Sequence, residues 1–352
     1  MQNKILIINK AQFGYHTDYY KFCEYLAKYF DVNYFCFDTG KKKLKNENLD
    51  VNYISYKGNK IVRGLRFVLN AILTINKFEG IILINYFENC QILKMLFPKK
   101  KIILDIRTLS VNADNDERIK MDNKIKRSTK YFDHVTIISK ELGDKLQIDE
   151  RKLSVVPLGA DIISNSKKEF SKLNLLYVGT LDGRNIYQTI EGLEKFMEKH
   201  PYFKEIKYDI IGDGKPYNDL KKLIIQKKLE NIVTLYGRLP HFELQPFFDK
   251  NNIGVSYVPM TDYYQFQPPT KTYEYILSGM VCMATNTFEN AKVINKENGI
   301  LHEDNAESFA NALEYIFFNR QNYDSDKIRN SLIDYTWENI VNKYLIPVFD
   351  KI

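Results

Sequence analysis

Short runs of almost unbroken apolar residues recur along this chain, separated by longer amphipathic stretches. This pattern constrains the fold more than any other feature. The first series comprises KILIIN (Lys4 to Asn9), VNYFCF (Val32 to Phe37), IILIN (Ile81 to Asn85), KIILDI (Lys101 to Ile106) and VTIIS (Val135 to Ser139), and it ends with LSVVPLG (Leu153 to Gly159). A strand with one wet face would alternate apolar and polar residues. Runs without alternation predict strands buried on both faces, as in a parallel sheet. Between the first two runs, Phe22, Leu26 and Tyr29 recur at helical spacing and predict a helix over Tyr19 to Tyr29.

A polar stretch, Asp161 to Lys172, interrupts the series, and the pattern then restarts. LLYVG (Leu175 to Gly179), KYDIIG (Lys207 to Gly212), IVTLYG (Ile232 to Gly237), IGVSYVP (Ile253 to Pro259) and MVCMAT (Met280 to Thr285) are the new strand candidates. Helices are expected over Ile186 to Glu198 and Tyr217 to Lys228. Two successive βαβ series predict two doubly wound α/β domains. The length of 352 residues agrees, because single cores stop growing at about 250–300 residues. The expected division is an N-terminal domain over 1–165, a second domain over 166–330 and a closing helix over 331–352.

Composition narrows the class only a little. Hydrophobic residues at 44% and charged residues at 27% suit a globular protein. The 14% of aromatics accompanies abundant Lys, Asn and Ile and is not read as function. A formal charge of +7 favours anionic partners without choosing among nucleotides, membranes and nucleic acid. Cys23, Cys36, Cys90 and Cys282 lack metal-ligand spacing and read as reduced, buried thiols. MQNKILIINK reads as a first strand rather than a secretory leader. The apolar stretch Gly64 to Phe87 is broken by Arg66, Lys77 and Glu79, so no membrane span is expected. A cytoplasmic location follows as the expectation.

In open α/β sheets ligands bind beyond the carboxyl ends of the strands. Four second-half strands end in Gly179, Gly212, Gly237 and Pro259. Singly each fits turn chemistry; together on one edge they favour a cleft. GDGK (Gly212 to Lys215) lacks the spacing of a phosphate-loop fingerprint and is read as a turn. In GTLDGRN (Gly179 to Asn185) a strand ends and Arg184 stands just before the next helix. A guanidinium beside free helical N–H groups suits phosphate, although a solvated arginine fits the same pattern.

QPPTKTYEYILSG (Gln267 to Gly279) is the sharpest segment. Two prolines deliver the chain to a helix start, with Thr270 as the expected N-cap. Lys271 and Glu274 are three apart and share a face in the first turn. A cation there opposes the helix dipole, and an anionic ligand would remove that cost. Glu274 could accept hydrogen bonds from vicinal hydroxyls such as those of a ribose. A surface Lys–Glu pair is the plainer alternative.

With these residues in view, the second half resembles retaining glycosyltransferases of family 4, which have the GT-B fold of two facing Rossmann-like domains and a C-terminal helix that crosses back to the first. The resemblance runs in order through VVPLGAD, LLYVGTLDGRNIYQTIEGL, IIGDGKPYNDLKKL, IVTLYGRLPHFEL, PPTKTYEYILSGMVCMAT, ENGIL and DYTWENIVNKYL, about half the chain. It implies that Arg184 grips a donor diphosphate and that Lys271 shares the load, since the usual partner position, after Gly179, holds Thr180. The second of the family's two glutamates falls on Glu274, as ribose ligand. The first falls on Phe266, leaving Gln265 or Gln267 to meet the donor sugar. The base would lie near Gly237 and Arg238, and Gly179, Thr180, Gly212 and Thr270 would complete the donor surface.

In the first half, FGYH resembles the family's glycine-containing loop and brings in Gly14 and His16. LDIRTLS resembles a segment that aims Asp105 and Arg107 at the cleft; a structural pair is the alternative. His134 reads as structural, and Tyr335 and Trp337 as packing residues. The resemblance implies transfer of a sugar from a nucleotide-diphosphate donor to a hydroxyl, with retention and without a metal or other cofactor. A bacterial surface-polysaccharide pathway is the implied setting.

Three basic stretches, KKKLK (Lys41 to Lys45), KGNKIVRGLR (Lys57 to Arg66) and PKKK (Pro98 to Lys101), lie in the first half. Leu65, Val68, Leu69 and Ile72 fall at helical spacing beside them. Docking on anionic lipid is one reading and solvated charge is the other. A GT-B epimerase or phosphorylase is the rival enzyme class. A nucleic-acid module finds no supporting motif.

Overall fold

A computed structural model of the chain describes residues 4–44, 48–112 and 114–352; Lys45, the last residue of the first basic stretch, lies outside them. The chain divides into two compact units. One holds the chain up to Gly159 together with Trp337–Ile352, and the other holds Ala160–Thr336.

The first unit is built on seven strands: β1 (Lys4–Ile8), β2 (Asp31–Asp38), β3 (Leu49–Ser55), β4 (Ile81–Asn85), β5 (Ile102–Ile106), β6 (His134–Ile137) and β7 (Leu153–Val155). They form a parallel sheet in the order β3-β2-β1-β4-β5-β6-β7. The second unit holds β8 (Leu173–Val178), β9 (Ile206–Ile211), β10 (Val233–Gly237), β11 (Ile253–Ser256), β12 (Val281–Thr285) and β13 (Gly299–His302). Their order is β10-β9-β8-β11-β12-β13, again parallel. Central strands are buried on both faces, as the unbroken apolar runs require: Ile5 to Ile8 and Ile82 to Ile84 are all in the core. The expected architecture is therefore present: two Rossmann-like parallel-sheet domains and a C-terminal helix, which is that of GT-B.

Two strands have no counterpart among the apolar runs. The edge strand β3 alternates exposed and half-buried residues, so it carries no continuous run. β13 has four residues and begins with glycine. A third correction concerns the helix Lys60–Lys77, capped by the Asn59 side chain, which accepts from the Val62 N–H at 3.0 Å. It buries only Phe67, Ala71 and Ile75. Of the expected stripe, Leu65 and Leu69 are exposed while Val68 and Ile72 are half-buried, so the outward ridge is rotated from the expected one. No helix among the described residues is long and apolar enough to cross a membrane. Cys23, Cys36, Cys90 and Cys282 are free and buried.

The C-terminal helix belongs to the first unit. Its middle widens to a π-helical turn at Val341–Leu345, just ahead of Pro347. Proline has no N–H to continue the regular ladder, which accounts for the irregularity there. Trp337 is buried and meets Phe22 edge-on, with ring centroids 5.9 Å apart. Gly159 leaves the room for it: a Cβ there would lie 2.4 Å from the indole. Lys28 pairs with Glu338 at 2.7 Å across the same contact. Emptying the indole site should therefore loosen the first unit. We predict that Trp337→Ala costs about 3–5 kcal/mol, read as a lower urea midpoint by circular dichroism; an unchanged midpoint would contradict this packing.

Candidate functional site

The strand order of the second sheet reverses beside β8: β9 and β10 lie on one side, β11 to β13 on the other. At such a point the loops leaving neighbouring strands diverge and open a crevice. Here these are residues 179–186 after β8 and 257–269 after β11, the second leading into the helix Thr270–Leu277.

Backbone contacts fix the first loop. The Gly179 N–H donates to the Ile211 carbonyl at 3.0 Å, and the Gly212 N–H to the Gly237 carbonyl at 2.9 Å. Gly212 has no space for a side chain, since a Cβ would fall 2.0 Å from the Gly179 carbonyl oxygen. Gly179 has φ +154°, a conformation that side chains disfavour. The Lys215 N–H donates to the Asp182 carboxylate at 2.9 Å. These strand-end loops border a cavity of about 560 Å³, lined among others by Gly179, Thr180, Gly212, Asp213 and Arg238.

A hydrogen bond ties the helix Thr270–Leu277 to β8. The Val178 N–H, at the end of β8, donates to the Tyr275 hydroxyl at 2.8 Å. Tyr275 can lie there because β11 carries Gly254, whose Cβ would fall 2.1 Å from the ring. Thr272 adds a buried link, from its hydroxyl to Ser256 at 2.7 Å and to Asn290 at 2.8 Å. The N-cap of this helix is Pro269, in extended conformation, and Thr270 is the first helical residue. The expected threonine cap is thus displaced by one: no side chain caps this end, and with the Thr272 N–H donating to the Pro269 carbonyl at 3.0 Å, the uncapped N–H groups of the first turn are those of Thr270 and Lys271.

Lys271 lies one turn before Tyr275. Its Nζ is 3.9 Å from the centroid of the Tyr177 ring and 3.3 Å from where a Gly179 Cβ would lie. By accessible area the residue is only half-buried, yet its ammonium is packed deeply. Burial first, and then Arg184, hold its pKa well below the ordinary lysine value. Arg184 lies over Tyr264, 4.2 Å from guanidinium carbon to ring centroid. Its Nη1 is buried without a hydrogen-bond partner. Among the described residues neither cation forms an ion pair. Glu274 shares the helix but not a bond with Lys271; its carboxylate is 3.7 Å from His241 Nε2.

The remaining expected residues are distributed as follows. Thr180 lines the cavity, and its hydroxyl accepts from the Asp182 N–H at 3.2 Å. Phe266 stacks on Phe288, with centroids 5.3 Å apart. Gln265 accepts from the Phe288 N–H at 2.9 Å, so its carbonyl oxygen is already engaged. Gln267 precedes the helix and is half-buried. The aromatic residues Tyr177, Tyr264 and Tyr275 were not expected at the site; their role depends on contacts between distant strands.

In the first unit, Gly14 has φ +87° and its Cβ position is 2.4 Å from Leu44. Asp105 and Arg107 are buried and are not each other's direct partners. Asp105 accepts from Tyr19 at 2.5 Å and Thr136 at 2.6 Å; burial raises its pKa, which Arg107 opposes. Arg107 pairs with Asp18 at 2.7 Å and donates to the Val156 carbonyl at 2.6 Å. The alternative of a structural role fits both, though through separate partners. The Asn9 side-chain oxygen accepts from the Ala11 N–H and from Asn85, both at 3.0 Å. Its nitrogen therefore faces His16, 3.1 Å from Nδ1. Burial lowers the His16 pKa, so the neutral ring accepts at Nδ1 and carries its proton on Nε2. His134 bonds Ser154 at 3.0 Å, within the sheet. Among the described residues no group of three or more His, Cys, Asp or Glu could hold a metal ion.

Residues 161–336, half of the chain, match the family model described as glycosyl transferases group 1, and the chain belongs to that family. No curated protein matches it significantly by sequence. Solved structures resemble it over their full length. Sucrose-phosphate synthase from Thermosynechococcus elongatus is 17% identical, with a TM-score of 0.76, covering 99% of this chain and 98% of that one. Anabaena Alr3699/HepE, solved in complex with UDP, is 12% identical, with a TM-score of 0.75, covering 99% and 100%. The lipopolysaccharide outer core galactosyltransferase WaaB, in apo form, is 16% identical, with a TM-score of 0.73, covering 99% and 100%.

A buried cation beside a second one destabilises the protein alone. Lys271→Met keeps the unbranched apolar stem of the side chain and removes the charge. It should stabilise the ligand-free protein by about 1 kcal/mol, read as a higher unfolding midpoint. A lower midpoint in thermal denaturation would show that Lys271 supports the fold instead.

Proposed function

We propose that this chain moves a sugar from a nucleotide-diphosphate donor, most simply a UDP-sugar, to a hydroxyl acceptor, with retention of configuration. One observation carries the reading: Lys271 and Arg184 stand together at the strand reversal and form no ion pair among the described residues, beside a helix start without a side-chain cap. Two partly desolvated cations and free N–H groups form a site for a dianion. A diphosphate leaving group is such an anion, and its charge grows as the glycosidic bond breaks. Groups already oriented there stabilise the transition state more than the ground state. They also supply the charge that a metal ion would otherwise bring.

Glu274 is assigned to the ribose hydroxyls. Gly179, Thr180, Gly212, Gly237 and Arg238 form the surface for the rest of the nucleotide, Gln267 and Thr270 adjoin the phosphates, and Gln265, through its free amide nitrogen, stands near the sugar. The second unit is thus the donor domain. The first unit is assigned to the acceptor, with Gly14 and the Nε2–H of His16 as its polar contacts, and Asp105 and Arg107 hold its scaffold. Retention is assigned to reaction on one face of the sugar, where the departing phosphate takes the acceptor's proton. The donor is assigned as a UDP-hexose or UDP-N-acetylhexosamine; HepE, solved with UDP, supports the nucleotide, and WaaB, a lipopolysaccharide outer core galactosyltransferase, supports a hexose. The lipopolysaccharide outer core setting of WaaB also supports a glycan or lipid-linked acceptor in bacterial surface-polysaccharide synthesis. An anionic membrane surface on the cytoplasmic side completes the proposed partners. A GT-B epimerase or phosphorylase would use a similar anion site; only a transferase couples nucleotide release to glycosylation of an added hydroxyl.

Thermal-shift screening against nucleotide-diphosphate sugars identifies the donor, since ligand that binds only the folded state raises the midpoint. With that donor, Arg184→Ala should lower turnover roughly 100- to 1000-fold. Glu274→Gln should weaken donor binding about tenfold or more, measured as KM. Unaltered turnover in the arginine variant would overturn the site assignment.

A further inference from the structure

The ridge of the helix Lys60–Lys77 carries the inference. Ile61, Leu65, Leu69 and Leu73 recur every fourth residue along one side and are 73%, 61%, 59% and 62% exposed. Val62 joins them at the start. Single exposed apolar residues are ordinary, but four in register on one helix are a patch. The neighbouring helix Gln91–Leu96 packs on this one and exposes Met95 and Leu96.

The charge carried by the segment of the ridge has one sign. From Ser55 to Phe78 the chain holds Lys57, Lys60, Arg63, Arg66 and Lys77 and no acidic residue. None of these cations forms an ion pair among the described residues. The nearby acids are committed elsewhere: Glu88 pairs with Lys124 at 2.5 Å and Glu79 with Lys100 at 2.7 Å. Arg66 donates to the Ser55 and Lys57 carbonyls at 2.9 and 2.7 Å, pinning the entry turn at the head of the helix. Arg63 stacks on the half-exposed Tyr56, 4.1 Å from the ring centroid.

We infer that this face docks on an anionic lipid bilayer, with the helix lying in the interface and the ridge Ile61–Leu65–Leu69–Leu73 entering the acyl boundary. An apolar stripe bordered by cations suits that environment, where leucines leave water and lysines meet lipid phosphates. A helix of 18 residues is about 27 Å long and lies along the surface rather than across it. A second copy of the chain is a poor occupant, because a symmetric pairing through this face would bring the same five cations against each other. The inference rests on the membrane part of the proposed function and names the face that performs it.

The test uses the full chain and vesicles of phosphatidylcholine with or without phosphatidylglycerol, read by sedimentation. Binding to the anionic vesicles alone is expected, falling as salt rises. The variant Leu65→Gln/Leu69→Gln/Leu73→Gln should weaken it about tenfold or more, and Lys57→Glu/Lys60→Glu by about fivefold per charge or more. Every substitution lies on an exposed position, and circular dichroism checks that both variants are folded. Equal binding to neutral vesicles, no binding to either kind, or unchanged binding by either variant would overturn the inference. So would a dimer that the leucine variant dissociates. Donor turnover on a water-soluble acceptor is measured in parallel: retained turnover without vesicle binding sinks the docking face alone, whereas vesicle binding without turnover sinks the transferase reading alone.

Discussion

The repulsion between Lys271 and Arg184 is the constraint on which the second unit turns. Each cation is partly removed from water and, among the described residues, neither forms an ion pair; Glu274 offsets the repulsion on Lys271 only after burial and Arg184 have lowered its pKa. The structure limits the cost by placing each over an aromatic ring, Tyr177 beneath Lys271 and Tyr264 beneath Arg184. Such contacts return about 0.5–2 kcal/mol each, less than a well-placed ion pair can supply in a desolvated site. What remains unsatisfied is electrostatic demand for an anion. The placement itself is built from small details: Gly254 admits Tyr275, Tyr275 receives the Val178 N–H, and Gly179 leaves room for the Lys271 ammonium. The position of the two cations therefore depends on residues packed behind them.

The first unit solves a different problem. Asp105 and Arg107 are buried charges, and each is satisfied by its own set of partners, Tyr19 and Thr136 for the carboxylate, Asp18 and two carbonyls for the guanidinium. A buried charge left without partners would destabilise the sheet, so this network holds the ends of β5 and the chain after β7 in place. His16 stands outside it. Its Nδ1 is occupied by Asn9, whose own orientation is set by Asn85 and Ala11, and its remaining N–H is a donor of fixed direction.

Much of this was legible in the sequence because burial on both faces writes unbroken apolar runs. The central strands of both sheets announced themselves that way. β3 did not, because an edge strand shows solvent on one side and alternates as LDVNYIS does; β13 was too short to register. Arg184, Lys271 and Glu274 were singled out from strand ends and prolines, which are local signals. Thr270 was misplaced by one position, because a proline in extended conformation can precede a helix without any side-chain cap. Tyr177, Tyr264 and Gly254 were invisible, since their roles arise from contacts between β8 and the segments around β11, and the strand order that joins these is not written in any one stretch. The outward ridge of the helix Lys60–Lys77 was half-read: helical spacing identified an apolar stripe, but several stripes were available in KIVRGLRFVLNAILTINK, and packing against the sheet selected which one turned inward.

Proton linkage tests the central claim most directly. Lys271 is held below its ordinary pKa by burial and by Arg184, and a bound diphosphate would draw that pKa back up. At about pH 9, where a nucleoside diphosphate is fully ionised, binding should therefore take up protons. Calorimetric titration of a nucleoside diphosphate in two buffers of different ionisation enthalpy measures this as a difference in apparent heat. The account predicts net uptake by the natural protein and its loss, with weaker binding, in Lys271→Met. Binding of unchanged affinity in that variant, or binding by the natural protein with no proton uptake, would contradict it.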